Sequence, residues 1–313
     1  MTILIKWVPF TTSLAEMSLL SPSTVRNYFD LNIIDKNVVR SNPPYMSGAF
    51  VADRVFGGNC VSQAAQSFAT LRPQATILNV NYKFIAAGKM NTPLNFHVRI
   101  EEDGDEGIAI VTTIQNGGVI GMGHIRFSHH HKDHLDSSPF LFPDNIDDPL
   151  NYPNARELLK IMTDSRLVQM LKVLDASVMD VRGVETPLTT PDQSIPRVAV
   201  WLRMKPELAD LLRPDDGLFV ALFFSDFGIL QVASETYAKH GIKVQNGASL
   251  HHSLWIHETE FDPRGFYCAV QECRIIANAR VRLEAYVFNE SRKCVLSVVQ
   301  EGYIQRTPES AKL

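Results

Sequence analysis

The stretch Gly217-Leu-Phe-Val-Ala-Leu-Phe-Phe-Ser225-Asp226-Phe-Gly-Ile-Leu-Gln-Val-Ala233 limits the possible folds more than any other part of the chain. It reads as a helix over 217–233 that is apolar on every side, and such a helix belongs inside a protein, enclosed by other elements. Asp226 stands in its middle. An ionised carboxylate in apolar surroundings costs several kcal/mol, so it persists where partners satisfy it structurally or where chemistry needs it.

A chain of 313 residues has the length of two domains of roughly 130 to 150 residues, each able to bury a core. A formal net charge of -4 provides no bulk attraction to nucleic acid or to an anionic membrane. Cys60, Cys268, Cys273 and Cys294 lie in apolar or alternating segments without the C-x-x-C spacing of a metal site, and they read as reduced core residues in an intracellular setting. Residues 1–9 are apolar but short and carry Lys6, and no stretch reaches 18 apolar residues, so neither a secretory signal nor a membrane span is expected. The final Ala311-Lys312-Leu313 keeps the small, basic, leucine form of the peroxisomal S-K-L address, which makes an import receptor an expected partner and the peroxisomal matrix the expected location. An ordinary frayed terminus is the other reading of those residues.

Residues 1–20 show no period and read as a leader, with Met17 an alternative start. A short helix begins at Ser21, and the β-branched run 29–40 reads as one strand closed by Asn42-Pro43-Pro44. Gly57 and Gly58 open a helix over 59–71 and permit close approach where unpaired N–H groups point outward, a seat for an anionic or carbonyl oxygen or simply the start of a buried helix. Strands follow at 76–85, 93–102, 107–115 and 119–127, with Asp103-Gly104 and Asn116-Gly117-Gly118 as turns. A linker spans 129–154; its His129-His-His-Lys-Asp-His134 reads as a solvated stretch rather than a metal site.

The second half opens with an amphipathic helix over 155–175, whose apolar side is marked by Leu158, Leu159, Met162, Leu167, Met170, Leu171 and Leu174. Strands are expected at 178–185 and 198–204, then the apolar helix, then strands at 248–257, 265–274, 280–288 and 295–304. The order repeats that of the first half, the pattern of a duplicated unit in which a sheet wraps one helix. The expected division is a leader 1–20, an N-terminal unit 21–128, the linker 129–154, a C-terminal unit 155–306 and a tail 307–313.

Six motifs stand in a definite order: Arg54-Val-Phe-Gly-Gly, Asp180-x-Arg-x-Val-Glu185, Trp201-Leu-Arg203, Ser225-Asp226, Ala248-Ser-Leu-His-His-Ser-Leu-Trp-Ile-His257 and Val299-Gln-Glu-Gly302. In that order they resemble the thioesterase II family of acyl-CoA thioesterases, bacterial and peroxisomal, over roughly residues 21 to 306. The resemblance implies an α+β double hotdog fold and hydrolysis of fatty acyl-CoA to free fatty acid and CoA, with no metal or organic cofactor. It implies assembly into dimers or larger, and catalytic residues at Asp226, Ser249 and Gln300. The chain departs from the family pattern at His251, where members often carry Asp.

A thioester hydrolase of this kind needs an aligned water and a base. Asp226 is the expected base, with the Ser249 hydroxyl and Gln300 amide as donors favouring its ionised form. Each also has a structural reading: Asp226 as a satisfied carboxylate, Ser249 as a strand serine, Gln300 as a partner of a backbone group. Period-two alternation puts His251 and His257 on the face of Ser249, as lining or structural residues. The first-half helix carries no acid, so one site per chain is expected. Two alternatives remain at this stage, a hotdog enoyl-CoA hydratase, whose Asp-x-Asn-Pro-x-His string is absent, and a non-catalytic acyl-CoA-binding protein.

Overall fold

A computed structural model describes residues 22–47, 54–130, 142–163, 165–184 and 197–307. The leader, the terminal Ala311-Lys312-Leu313 tail, most of the His129–His134 run and the Thr- and Pro-rich stretch 186–196 lie outside the described residues.

Among the described residues, twelve strands form one antiparallel sheet. They are β1 (Leu31–Asp35), β2 (Val38–Ser41), β3 (Thr76–Phe84), β4 (Leu94–Asp103), β5 (Glu106–Gln115), β6 (Gly118–Ser128), β7 (Met179–Gly183), β8 (Arg197–Met204), β9 (Val244–Ile256), β10 (Tyr267–Ala277), β11 (Arg280–Phe288) and β12 (Cys294–Arg306). Their spatial order is β1-β2-β4-β5-β6-β3-β9-β12-β11-β10-β8-β7. Adding six to each strand number of the first half reproduces the order of the second, so the chain is a duplicated unit joined where β3 pairs with β9. This is the α+β double hotdog that the motifs imply.

The helices are α1 (Pro22–Phe29), α2 (Gly57–Leu71), α3 (Ala155–Leu158), α4 (Ser165–Ala176), α5 (Pro206–Ala209), α6 (Gly217–Phe224) and α7 (Ile229–Lys239). The sheet wraps α2 in the first half and α6 with α7 in the second, and α2 packs directly on α6, where Ser62 Oγ donates to the Phe219 carbonyl at 2.7 Å. At that crossing Gly58 lies so close that a Cβ there would stand 2.1 Å from the Phe223 carbonyl oxygen. A glycine is required for the two helices to approach this far. Phe223 packs edge-on against Phe56 and Phe29, fixing the helix pair by large apolar area.

Three sequence expectations are corrected. The helix over 217–233 is interrupted at Ser225–Gly228: Gly228 takes a left-handed conformation at φ 74°, and the helix resumes to Lys239. Among the described residues, Gln271 Nε2 donates to the Phe227 carbonyl at 2.6 Å, replacing a helical partner lost in the break. The run 29–40 is a hairpin, β1 and β2 turning at Lys36 and Asn37, which no Gly or Pro announces. The helix over 155–175 is two, the first held by a capping box between Asn154 and Glu157. The span Pro214–Lys239 is long and apolar enough to resemble a membrane crossing, and the packing of α6 on α2 and of α7 on β9, β10 and β11 accounts for that apolarity.

Candidate active site

Asp226, a half-buried residue, sits in the break between α6 and α7, with its carboxylate at the wall of a cavity of about 300 Å³. The cavity lies between the two halves and is walled largely by apolar groups, among them Phe56, Phe84, Ile85, Ile120, Val181 and Leu230. Ser249 on β9 opens onto the same space. Gln300 on β12 lies behind them, fully buried.

The three expected residues meet. The Ser249 hydroxyl donates to Asp226 Oδ1 at 3.4 Å, and Gln300 Nε2 donates to Ser249 Oγ at 2.8 Å. Burial raises the Asp226 carboxyl to a pKa of about 7, opposed by hydrogen bonds from Gln300, Ser249 and the Gly58 N–H. The carboxylate is therefore poised between its two forms near neutral pH, the condition for a general base. Gly57, the first residue of α2, lies against the same carboxylate: a Cβ there would stand 2.4 Å from Asp226 Oδ2. The N-terminus of α2, read from the sequence as a seat for an anionic oxygen, thus faces Asp226 itself, across the junction of the two halves of one chain.

Sequence reasoning placed His251 and His257 on the face of Ser249, and the structure places them elsewhere. Leu250 is an extra residue in β9, because Ser249 pairs with Gly302 and His251 with Glu301. Such a bulge inverts the alternation beyond it. His252, not His251, continues the face of Ser249 and pairs with Gln300. His251 lies on the opposite face, in register with Lys83 and Glu301 and hydrogen-bonded to Ser253 Oγ at 3.3 Å, and His257 binds Ser297 Oγ at 2.9 Å at the surface.

His252 was missed. It is fully buried, its Nδ1 meets Gln300 Oε1 in a short hydrogen bond, and its Nε2 lies 2.9 Å from Ser225 Oγ. Burial lowers its pKa to about 4, so the ring is neutral at working pH. The sequence signal available was the proximity of two histidines to Ser249, which a period-two rule assigns to the wrong one.

The four cysteines are free and buried. Cys60 lines the cavity near Asp226, and burial followed by the Asp226 charge pushes its thiol up to about 12. A second raised carboxyl, Glu235 on α7 at about 7, is held by Gln231 Nε2 at 3.1 Å. His129 binds Asp103 at 2.9 Å and His130 binds Asp105 at 3.2 Å at the end of β6, and among the described residues no cluster with the ligands of a metal site occurs.

Residues 160–304 match the family described as the acyl-CoA thioesterase C-terminal domain. This part of the chain is similar to that thioesterase domain. It contains Asp226, Ser249 and Gln300 together. Solved structures extend the similarity in fold over about nine-tenths of the chain. The acyl-CoA thioesterase II TesB2 of Mycobacterium marinum is similar at 20% identity, covering 90% of this chain and 98% of its own, with a TM-score of 0.67. A tesB protein of Mycobacterium avium subspecies paratuberculosis is 17% identical, over 92% of this chain and 100% of its own, with a TM-score of 0.67. A hot dog fold protein of Alicyclobacillus acidocaldarius has a TM-score of 0.70 at 13% identity, over 91% of this chain and 99% of its own. No curated protein matches the chain. The thioesterase II resemblance drawn from the six motifs is thereby borne out.

Proposed function

We propose that the protein hydrolyses fatty acyl-CoA thioesters to a fatty acid and CoA, with Asp226 as the base that takes a proton from the attacking water. The observation that carries this reading is a carboxyl with a pKa of about 7 at the wall of an apolar cavity, hydrogen-bonded to the Ser249 hydroxyl. The apolar walls suit an acyl chain. A thioester has a good leaving group, so water aligned by Asp226 and Ser249 and deprotonated as it attacks is sufficient chemistry. Ser249 is a poorer nucleophile candidate, because the neighbouring imidazole, His252, bonds Gln300 and Ser225 instead of Ser249.

The test is release of free thiol from saturated acyl-CoAs of graded chain length, set against hydration of an enoyl-CoA. Thiol release supports the reading. Hydration alone would replace it with a hydratase, and saturable acyl-CoA binding without either reaction would replace it with a binding protein. The terminal Ala311-Lys312-Leu313 suits delivery to the peroxisome by its import receptor, and removing those three residues from a fluorescent fusion is expected to leave it in the cytosol. Assembly as a homo-oligomer belongs to the same proposal, and sedimentation at the mass of the single chain would contradict it.

A further inference from the structure

We propose that His252 is a positioning residue of this site: its Nδ1–H holds the Gln300 carboxamide with the nitrogen toward Ser249. The inference deepens the reading of Asp226 as base and rests on it.

A carboxamide has two chemically opposite ends, and which end faces Ser249 decides whether the serine proton is free to point at Asp226. Gln300 is fully buried between two partners, Ser249 Oγ at 2.8 Å on one side and His252 Nδ1 on the other. With hydrogen on Nδ1, the imidazole binds Oε1 and turns Nε2 to Ser249. Ser249 then accepts from Gln300 and donates its own proton to Asp226 Oδ1 at 3.4 Å. The remaining ring nitrogen, Nε2, then takes the Ser225 hydroxyl proton across 2.9 Å, the hydroxyl turning from its other acceptor, the Leu222 carbonyl. All donors from Ser225 to Asp226 therefore point toward the carboxylate, which favours its ionised, basic form.

The same groups admit one other consistent arrangement. When Asp226 takes up a proton, it donates to Ser249, Ser249 donates to Gln300 Oε1, and the carboxamide nitrogen donates to His252 Nδ1. His252 then carries its single proton on Nε2 and donates to Ser225. Ser225 has an acceptor ready for its own proton, the Leu222 carbonyl at 2.7 Å. Only the proton gained by Asp226 is added; the imidazole remains neutral and its proton moves to the other nitrogen. The tautomer of His252 thus reports the charge of Asp226 through two intervening side chains.

The surroundings leave Asp226 as the group that changes. Tyr82 of β3 is opposite His252, with its hydroxyl held well above 10 by burial and donating to Thr113 Oγ1 at 2.8 Å. Cys60 of α2 is likewise raised, to about 12. His251, next along β9, is lowered by burial and faces the other side of the sheet beside Lys83 and Glu301.

The test uses the full chain labelled with 15N-histidine, with the His252 signals assigned by their loss in His252→Asn. The expected result is hydrogen on Nδ1 at about pH 9 and on Nε2 at about pH 5.5. One tautomer at both values would overturn the proposal. A second arm compares His252→Asn with His252→Gln. The Asn amide nitrogen stands about where Nδ1 does and retains the donor to Gln300, whereas that of Gln stands about where Nε2 does. The Asn variant is expected to keep kcat within roughly tenfold, and the Gln variant to lose about 100-fold in kcat with KM nearly unchanged. Equal losses in both variants, or losses tracking only thermal stability, would overturn the positioning role. A chain that turns over no acyl-CoA but shows the tautomer change would remove the proposed function and leave the coupling of His252 to Asp226 intact.

Discussion

Gly57→Ala separates catalysis from folding at a single methyl group. The added Cβ would stand 2.4 Å from Asp226 Oδ2 and 3.2 Å from its Cγ, where real Cβ contacts essentially never fall under 3.0 Å. The carboxylate must therefore withdraw by at least about 0.6 Å, since the α2 backbone is pinned by Gly58 against the Phe223 carbonyl. The Ser249 bond to Asp226 is already 3.4 Å long and does not survive such a shift in geometry. A displacement approaching 1 Å at a reacting group costs about 100-fold in rate. Stability should change far less. Turning a terminal carboxylate off its rotamer costs about 1 kcal/mol, and Ala in a helix returns roughly 0.5 to 1 kcal/mol over Gly. Thiol release by purified variant and parent, with thermal melting of both, is the assay. The expected result is a fall of about 100-fold in kcat with Tm within about 4 °C of the parent. A kcat within about twofold of the parent would refute the placement of α2 against Asp226.

Gly58→Ala is the counterpart: its Cβ meets the Phe223 carbonyl at 2.1 Å, backbone against backbone, so it should cost about 1 to 3 kcal/mol in chemical denaturation. Gly228→Ala puts a Cβ on a residue at φ 74° in the break that carries Asp226, and a loss of about 1 to 2 kcal/mol with reduced kcat is expected from denaturation and turnover together. The pH–rate profile should show an acid limb near the Asp226 value of about 7, activity rising as the carboxyl ionises. Stability runs the other way. The folded-state pKa of Asp226 is raised above its ordinary 3.8, so the native state binds more protons than the unfolded one between about pH 4 and 7, and stability is lost as pH rises through that window. Asp226→Asn should therefore raise Tm at about pH 8 and leave it little changed near about pH 4.

Much of the fold could be read before the structure because its signals are local. The meander β4–β6 follows alternation and a hairpin at Asn116-Gly117, whose φ values of 50° and 77° are those that Asn and Gly tolerate. The duplication was visible as a repeated order of elements. Asp226 stood out as the acid inside an apolar helix, whereas Ser249 and Gln300 were visible only through the order of six motifs, since they stand far apart in sequence and meet because β9 pairs with β12. What was not legible depends on contacts from elsewhere. The break at Gly228 is stabilised by Gln271 from β10, a partner that no window around residue 226 contains. The bulge at Leu250 leaves the composition of β9 unchanged yet moves His252 into the site and His251 out of it. The turn at Lys36–Asn37 carries neither Gly nor Pro, so β1 and β2 read as one strand.

The central claim is that the Asp226 carboxylate, on a broken helix at the cavity wall, takes the proton from water, and Asp226→Asn tests it directly. The substitution preserves shape and removes the base, and it should lower kcat for acyl-CoA thiol release by roughly 100- to 10,000-fold while the circular dichroism and substrate KM remain those of the parent. Turnover by the Asn variant at a rate comparable to the parent, in a folded protein, would contradict the account.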